Sequence, residues 1–456
     1  MMGRSKQKGL RMSDTPAIKR SIGPIGLMPG VLPSQIAIFL VVILLGTTIL
    51  AFTNLIQPYV FSEMLHIPKG EQGRLIGDLF TVQQIGLLVF IVIGGNLADV
   101  FGRKTVLILG LIGYTATCLV YPVLTVIWGF YVIRFVFGAS NAGFIAGGQT
   151  MMVDYPDNAS RGKFIGLILI TQGIASAILI GGLASHVPGW LQASGMPAKH
   201  AGLIVFGAAA LLAVVGIGLA LLLKEPHARN LRQPTTGRSS VGRMFADLAG
   251  VIAEARRNPR LGLVLIMGCV TRSDLNIIQG FLSLWVVSAA RDAGVETTRA
   301  LATAGLMTAI IQVSTVVVPG LFGLVADRFD RSRVLVFCCG ASGLGLLSTL
   351  FVHDVFGIAM IAVVTFIGVT EGAQTVATNA ALGQEAPAQL RGSVVGVFVL
   401  LGSVSVILVS FVGGRLFDSV GYVAPFVLVG ILNALFTIAA VVIMGNKSRK
   451  TIAATE

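Results

Sequence analysis

Residues 95–104 read GNLADVFGRK, and residues 323–332 read GLVADRFDRS. Gly95, Ala98, Asp99, Phe101 and Arg103 thus recur as Gly323, Ala326, Asp327, Phe329 and Arg331, at an offset of half the 456-residue chain. A second signature repeats nearly in step: Pro156, Arg161, Gly162 and Gly166 return as Pro387, Arg391, Gly392 and Gly396. The chain is a tandem duplication, so its fold must be two copies of one unit. Both echoes fall in short polar breaks between long apolar runs.

Those runs decide the solvent. Hydrophobic residues make up 55% of the chain and charged residues 12%, at a mean hydropathy of +0.87. A soluble domain carries about a quarter charged residues. A bilayer accommodates so much apolar surface because a run of about 20 apolar residues crosses it as a helix. Twelve spans are predicted, at 36–58, 79–98, 105–125, 127–152, 163–185, 201–223, 260–288, 301–325, 333–352, 355–380, 392–413 and 423–444. The expected fold is all-α and membrane-integral. It comprises a basic tail (1–35), a six-helix bundle (36–223), a linker with an amphipathic helix (224–259), a second bundle (260–446) and a short tail (447–456). On the linker helix, Val241, Phe245, Leu248 and Ile252 share one face.

Of 33 Lys and Arg, twenty-five fall on the side that holds both tails, the linker and the echoed loops, six fall on the other, and Arg134 and Arg272 lie inside spans. Basic loops stay in the cytoplasm, so both termini are expected there. The net charge of +13 is therefore an orientation signal, with a contact to anionic lipid as a second role, and not a mark of nucleic-acid binding. Cys118, Cys269, Cys338 and Cys339 all lie in apolar runs and form no metal or disulfide pattern. No phosphate-binding loop, nucleophile elbow or histidine metal spacing is present. Neither an enzyme nor ATP-driven transport within this chain is expected, and no cofactor or metal.

Charges inside a span are costly and mark function. Here they are Arg134 in span 4, Arg272 and Asp274 in span 7 and Glu371 in span 10, while span 1 offers Thr47, Thr48, Asn54 and Gln57. Spans 1, 4, 7 and 10 are equivalent members of successive triplets, which fits one face of each triplet turned to a shared cavity. For Arg134 the plain alternative is snorkelling to the nearby surface. Arg272 is nearer mid-membrane and needs a partner or an anionic ligand. Asp274 is two residues away on another helix face, so Glu371 is the better partner. A structural Arg272–Glu371 pair and a substrate or proton site both remain open. Asn276, Gln279, Gln374 and Asn379 are secondary candidates, each read as a helix–helix hydrogen bond ahead of a ligand contact.

The chain resembles the major facilitator superfamily over nearly its whole length. The loop after span 2, Gly95-x-Leu97-Ala98-Asp99-x-x-Gly102-Arg103-Lys104, matches the signature of that family, and the second copy has Asp330 in place of the glycine. Arg134-x-x-x-Gly138 resembles a second family motif, with Phe137 where a polar residue is common. The resemblance implies twelve helices in two pseudo-symmetric bundles, helices 1, 4, 7 and 10 lining the cavity, and alternating access by rocking. It ties Arg134 to proton coupling. It also implies a cytoplasmic gate: Asp99 meets the start of span 11 near Arg391 and Gly392, and by the repeat Asp327 meets the start of span 5 near Arg161. Asp154 is the expected partner of Arg103; Gly95, Gly102 and Arg331 complete the set.

Drug–proton antiporters of the family carry Gly-Pro in the middle of span 5, where this chain has Ala177-Ile178. The expected activity is secondary active transport of a small organic solute, leaning to an organic anion such as a carboxylate, coupled to protons as symport. The alternatives are proton-coupled efflux of lipophilic or cationic drugs, and a non-transporting sensor or scaffold on the same fold. The expected setting is a monomer in a bacterial inner membrane whose partners are a small-molecule substrate, protons and the lipid bilayer, without nucleic acid or ATP.

Overall fold

The computed structural model describes residues 21–22, 25–28, 31–157, 160–224, 240–326, 329–387 and 390–453, with the side chains at 22, 92–100, 153, 240–247, 319–326, 391 and 444–453 left outside that description. Among the described residues, twelve helices are long and apolar enough to cross a membrane. In the first half they are α1 (Pro33–Leu55, continued by a π turn at Val60–Met64), α2 (Lys69–Phe101) and α3 (Arg103–Val120). Next come α4 (Ile127–Asp154), α5 (Arg161–Ser176, continued by the π-helical Ala177–Ala184) and α6 (Ala198–Leu221). A linker helix, Ser240–Arg257, leads to α7 (Pro259–Asp292), α8 (Thr297–Ala326), α9 (Arg331–Leu347), α10 (Ile358–Glu385), α11 (Arg391–Ser419) and α12 (Ala424–Ala453).

Sequence chemistry sets these boundaries. Proline at the first helical position opens α1 and α7, where the missing N–H costs nothing. Between α2 and α3, Gly102 sits at φ 88, a conformation that side-chain-bearing residues rarely adopt. α2 begins at Lys69, well before the expected residue 79, because its first polar turns are helical although too polar to register as a span.

The duplication reappears in the packing. α2 lies on α4 as α8 lies on α10, α3 on α6 as α9 on α12, and α1 on α5 as α7 on α11. The halves meet mainly through α2 with α11 and its repeat equivalent, α5 with α8, and through α1 with α7.

Among the described residues, the ion pairs that join the halves lie at the end opposite the chain termini and the echoed loops. There the Arg415 guanidinium donates to Asp78 at 2.9 Å, and the Asp418 carboxylate accepts from the backbone N–H of Gly73 at 2.9 Å. Lys69 and Tyr422 both contact Asp292, and Arg291 donates to Ser62 at 2.6 Å. Burial, then the hydrogen bond to Asp292, pushes the Tyr422 phenol up to about 12, so it stays a donor.

Glycines make this closure possible. A Cβ on Gly77 would lie 2.3 Å from the Ser410 carbonyl oxygen, and one on Gly414 would lie 2.5 Å from that of Gly73. On α5, a Cβ on Gly173 would collide with Val316 and one on Gly181 with Ala309 and Gly305 of α8. At about 100° per residue, Gly162 and Gly166 lie within roughly 40° of Gly173 on α5, and Gly392 and Gly396 within roughly 40° of Gly414 on α11. Yet a Cβ on any of those four would meet nothing within 4 Å. One face of each helix is thus tightly packed at one end and open at the other, which is the shape of a cavity entered from the terminus end.

Two segments differ from expectation. Residues 25–28 and Val31 are not a free tail. Ile25, Leu27 and Val31 are buried, and Gly26 exchanges hydrogen bonds with the loop between α4 and α5, donating to Ser160 Oγ at 2.8 Å and accepting from Asp157 N–H at 2.9 Å. On the linker helix, Val251 is buried and Leu248 and Ala255 pack beside it against the second-half core, whereas Ile252 is exposed. Leu248 is thus on the packed face as expected and Ile252 is not, while the side chains of Val241 and Phe245 lie outside the described residues.

Candidate functional site

In the first half, polar chemistry gathers on Arg134. It lies about two turns into α4 but does not snorkel: its side chain is 1% exposed and turned toward α1 and α2. Nη1 donates to Gln83 Oε1 at 2.8 Å and Asn54 Oδ1 at 3.3 Å, and Nη2 donates to the Thr53 carbonyl at 3.2 Å. Nε is buried with no hydrogen-bond partner among the described residues. The rings of Phe80, Tyr121 and Phe137 surround the guanidinium with centroids 5.4–5.8 Å away. Ring faces and amide oxygens stabilise a cation but do not neutralise it. Gln57 donates to the Tyr121 hydroxyl at 3.2 Å, leaving its own buried carbonyl oxygen unpaired.

In the second half the chemistry has the opposite sign. Asp274 and Glu371 are both fully buried. Asp274 accepts from Asn433 of α12 at 2.8 Å, and Glu371 accepts from the Ser342 hydroxyl of α9 at 2.7 Å. Gln374 donates to Asn433 at 3.2 Å and ties the two together. The second oxygens of both carboxyls and the Gln374 carbonyl oxygen have no hydrogen-bond partner among the described residues.

Arg272 stands apart from this cluster, and the expected Arg272–Glu371 pair is not formed. Glu371 turns to α9 and α12. The stem of Arg272 lies on α11, where a Cβ on Gly402 would sit 2.3 Å from Arg272 Cδ. Among the described residues Arg272 has no ion-pair partner. It is one helical turn from Asn276, whose side-chain oxygen accepts from Gln84 of α2 at 3.4 Å. That face of α7 is therefore turned toward the first half. Ser283 of α7 also donates to the Asn54 carbonyl at 3.4 Å, beside the Arg134 cluster.

Of the expected gate residues, Arg103 forms an ion pair with Asp154 at the end of α4. Gly102 is the break between α2 and α3, and Arg161, Arg331 and Arg391 open α5, α9 and α11. Gly95 and Asp99 lie in the last turns of α2 with side chains outside the described residues, as is the Arg391 side chain, and Asp327 lies outside them altogether. Asp330, the residue that replaces glycine in the second copy, caps α9 by accepting from Arg333 N–H at 3.1 Å.

Gln83, Asn433 and Ser342 hold the charged groups but were not foreseen. An adjacent Gln83-Gln84 pair and a lone Asn433 inside apolar runs were the available signals. Of the secondary candidates, Gln374 and Asn276 join helices, whereas Asn379 donates to the Thr375 carbonyl of its own helix.

Comparison with known proteins agrees with this architecture. The family model described as Major Facilitator Superfamily matches residues 36–318 and 281–455. The magnetosome protein MamH of Paramagnetospirillum magneticum is 23% identical over 404 residues, covering 86% of this chain and 89% of that protein. The magnetosome protein MamZ of Magnetospirillum gryphiswaldense is 22% identical, over 91% of this chain but 63% of MamZ. Among solved structures, the nucleoside transporter NupG superposes with a TM-score of 0.68 at 15% identity, covering 90% of this chain and 99% of NupG. The inward open form of the xylose transporter XylE from E. coli gives 0.66 at 14% identity, over 89% of this chain and 95% of XylE. The chain is a multi-pass integral membrane protein and belongs to the Major Facilitator Superfamily.

Proposed function

We propose that this protein is a proton-coupled secondary transporter that carries a small organic anion, of the carboxylate class, together with a proton. The observation that carries this reading is the separation of charge. Arg134 and Arg272 have no carboxylate partner among the described residues, and Arg272 faces the junction of the halves. Asp274 and Glu371 are held apart from them, among α7, α9, α10 and α12. A cationic site in the junction suits an anionic substrate. A buried carboxyl pair bonded only to neutral groups suits a proton, which needs no space. The same separation weighs against efflux of lipophilic cations, because the carboxyls do not face the junction.

Transport follows from rocking of the halves. Separation at the closed end and closure of the Asp99, Arg103, Asp154, Arg161, Asp327, Arg331 and Arg391 loops would present the junction to the other side. With the basic loops cytoplasmic, the present state is open inward. A bacterial inner membrane fits the short loops.

Ligand-induced thermal stabilisation of the purified protein tests the substrate class, since a ligand of the folded state raises the melting midpoint. Organic acids, sugars, amino acids and lipophilic cations are screened at about pH 5.5 and about pH 7.5. A carboxylate hit that disappears in Arg272→Ala is the expected result. A lipophilic-cation hit, weakened at low pH and lost in Glu371→Gln, would replace this reading with efflux. In proteoliposomes, Glu371→Gln is expected to retain substrate exchange and lose accumulation driven by a pH gradient. Unchanged pH-driven accumulation removes Glu371 from coupling.

A further inference from the structure

A groove of about 1240 Å³ runs along the outside of the second half, walled by α7, α9 and α12 with Phe366 of α10. It is separate from the junction of the halves, since α9 and α12 pack within their own bundle. Its walls are apolar, including Phe337, Leu344 and Ile438, which are 72%, 65% and 61% exposed. Small residues make the room: Gly340, Ala341 and Ala434 line it where larger side chains would fill it.

The charged lining of the groove, Arg260 and Arg333, lies at one end. Arg260 in the first turn of α7 and Arg333 in the first turn of α9 both line it there, at the end of the basic loops. Both helices begin at that mouth, so their dipoles add to the positive field. The local counter-charge is Asp330. Its carboxylate is engaged in capping α9 at Arg333 N–H and lies 3.8 Å from the Arg260 guanidinium, a loose contact. Among the described residues at the mouth, two guanidinium groups face one carboxylate, which leaves it net positive.

We propose that this groove binds one anionic phospholipid, its phosphate between Arg260 and Arg333 and an acyl chain lying between α9 and α12. A free phosphate gains nothing from the apolar walls. A zwitterionic lipid fills the walls but brings a cationic group to a mouth that is already positive. Only an amphiphile with a net negative head and an aliphatic tail satisfies both ends, and basic pockets between membrane helices on this kind of face hold such headgroups.

The test uses the full-length protein, stripped of lipid in detergent and then incubated with equal amounts of phosphatidylglycerol and phosphatidylcholine bearing identical palmitoyl-oleoyl chains. Retained lipid is quantified by mass spectrometry after gel filtration. Phosphatidylglycerol is expected to be retained about tenfold over phosphatidylcholine, and the Arg260→Gln/Arg333→Gln variant to bring that ratio near unity. Ala341→Phe, which fills the groove and leaves the charge intact, is expected to lower phosphatidylglycerol retention at least about fivefold. Glycerophosphoglycerol, the headgroup without chains, is expected not to compete. A wild-type ratio near unity, or a preference that survives the double substitution, overturns the proposal. Loss in the arginine variant with full retention in Ala341→Phe overturns it as well, because the lipid would then sit on surface charge and not in the groove. If the double variant does not purify as a single species, Ala341→Phe decides the matter alone.

Discussion

Arg134 holds a positive charge among amide oxygens and ring faces, and the described residues bring no carboxylate to it. Burying an ion in this way costs several kcal/mol, which hydrogen bonds offset in part. Removing the charge recovers that cost and leaves the Gln83 and Asn54 oxygens unsatisfied, at about 1–3 kcal/mol each before the amides reorient. The two effects are similar in size. Arg134→Met should therefore shift the melting midpoint by only a few degrees while lowering transport by at least about tenfold. Poor folding of this variant with full activity per folded molecule would show the residue to be a structural strut. The charged residues of the site were legible in the sequence because a charge in an apolar run stands out. Their partners were not. Gln83 and Gln84 are neighbours, yet one holds Arg134 and the other reaches across to Asn276. Composition cannot separate them, since the difference lies in the angle at which each leaves α2. The Arg272–Glu371 pairing failed for a like reason: sequence gives the depth of a residue in the membrane but not the rotation of its helix.

At the level of helices, α2 and α11 approach through Gly77 and Gly414 closely enough that any side chain meets backbone. A carbonyl oxygen cannot turn aside as a flexible side chain can, so Gly77→Val must push the helices apart. Overpacking of this kind costs about 1–3 kcal/mol, enough to favour the state in which this end is open. Ser410 is buried in the present state. A Ser410→Cys reporter, labelled by a membrane-impermeant maleimide from the closed end, should react several-fold faster in the Gly77→Val background; equal rates would mean that the helices separate elsewhere. The spans themselves were legible from hydropathy and the repeat. The N-terminal segment was not, because Ile25, Leu27 and Val31 are isolated apolar residues whose burial depends on a loop more than a hundred positions away.

On the scale of the molecule, the duplication explains why closure at one end and opening at the other recur on both α5 and α11. The two helices are equivalent copies, so one rocking motion serves both. The echoed loops lie at the open end, and the Arg103–Asp154 pair there lies within the first half. It can orient the loop in this state and serve the closed gate in the other. Asp99→Asn and Arg103→Ala should each cripple transport while leaving membrane insertion at the wild-type level, measured by uptake against the amount of protein in the membrane. Normal uptake in both variants would remove the gate.

Arg134 also has an electrical consequence. An elementary charge moved through the whole transmembrane voltage is worth about 2.3 kcal/mol per 100 mV. Whatever fraction of that drop Arg134 crosses as its half rocks, the membrane voltage acts on the step. An anion and a proton taken up together leave the net charge of the carrier unchanged. On the proposed function, voltage therefore acts alike on the loaded and the empty carrier, in opposite halves of the cycle, and the pH gradient alone drives accumulation.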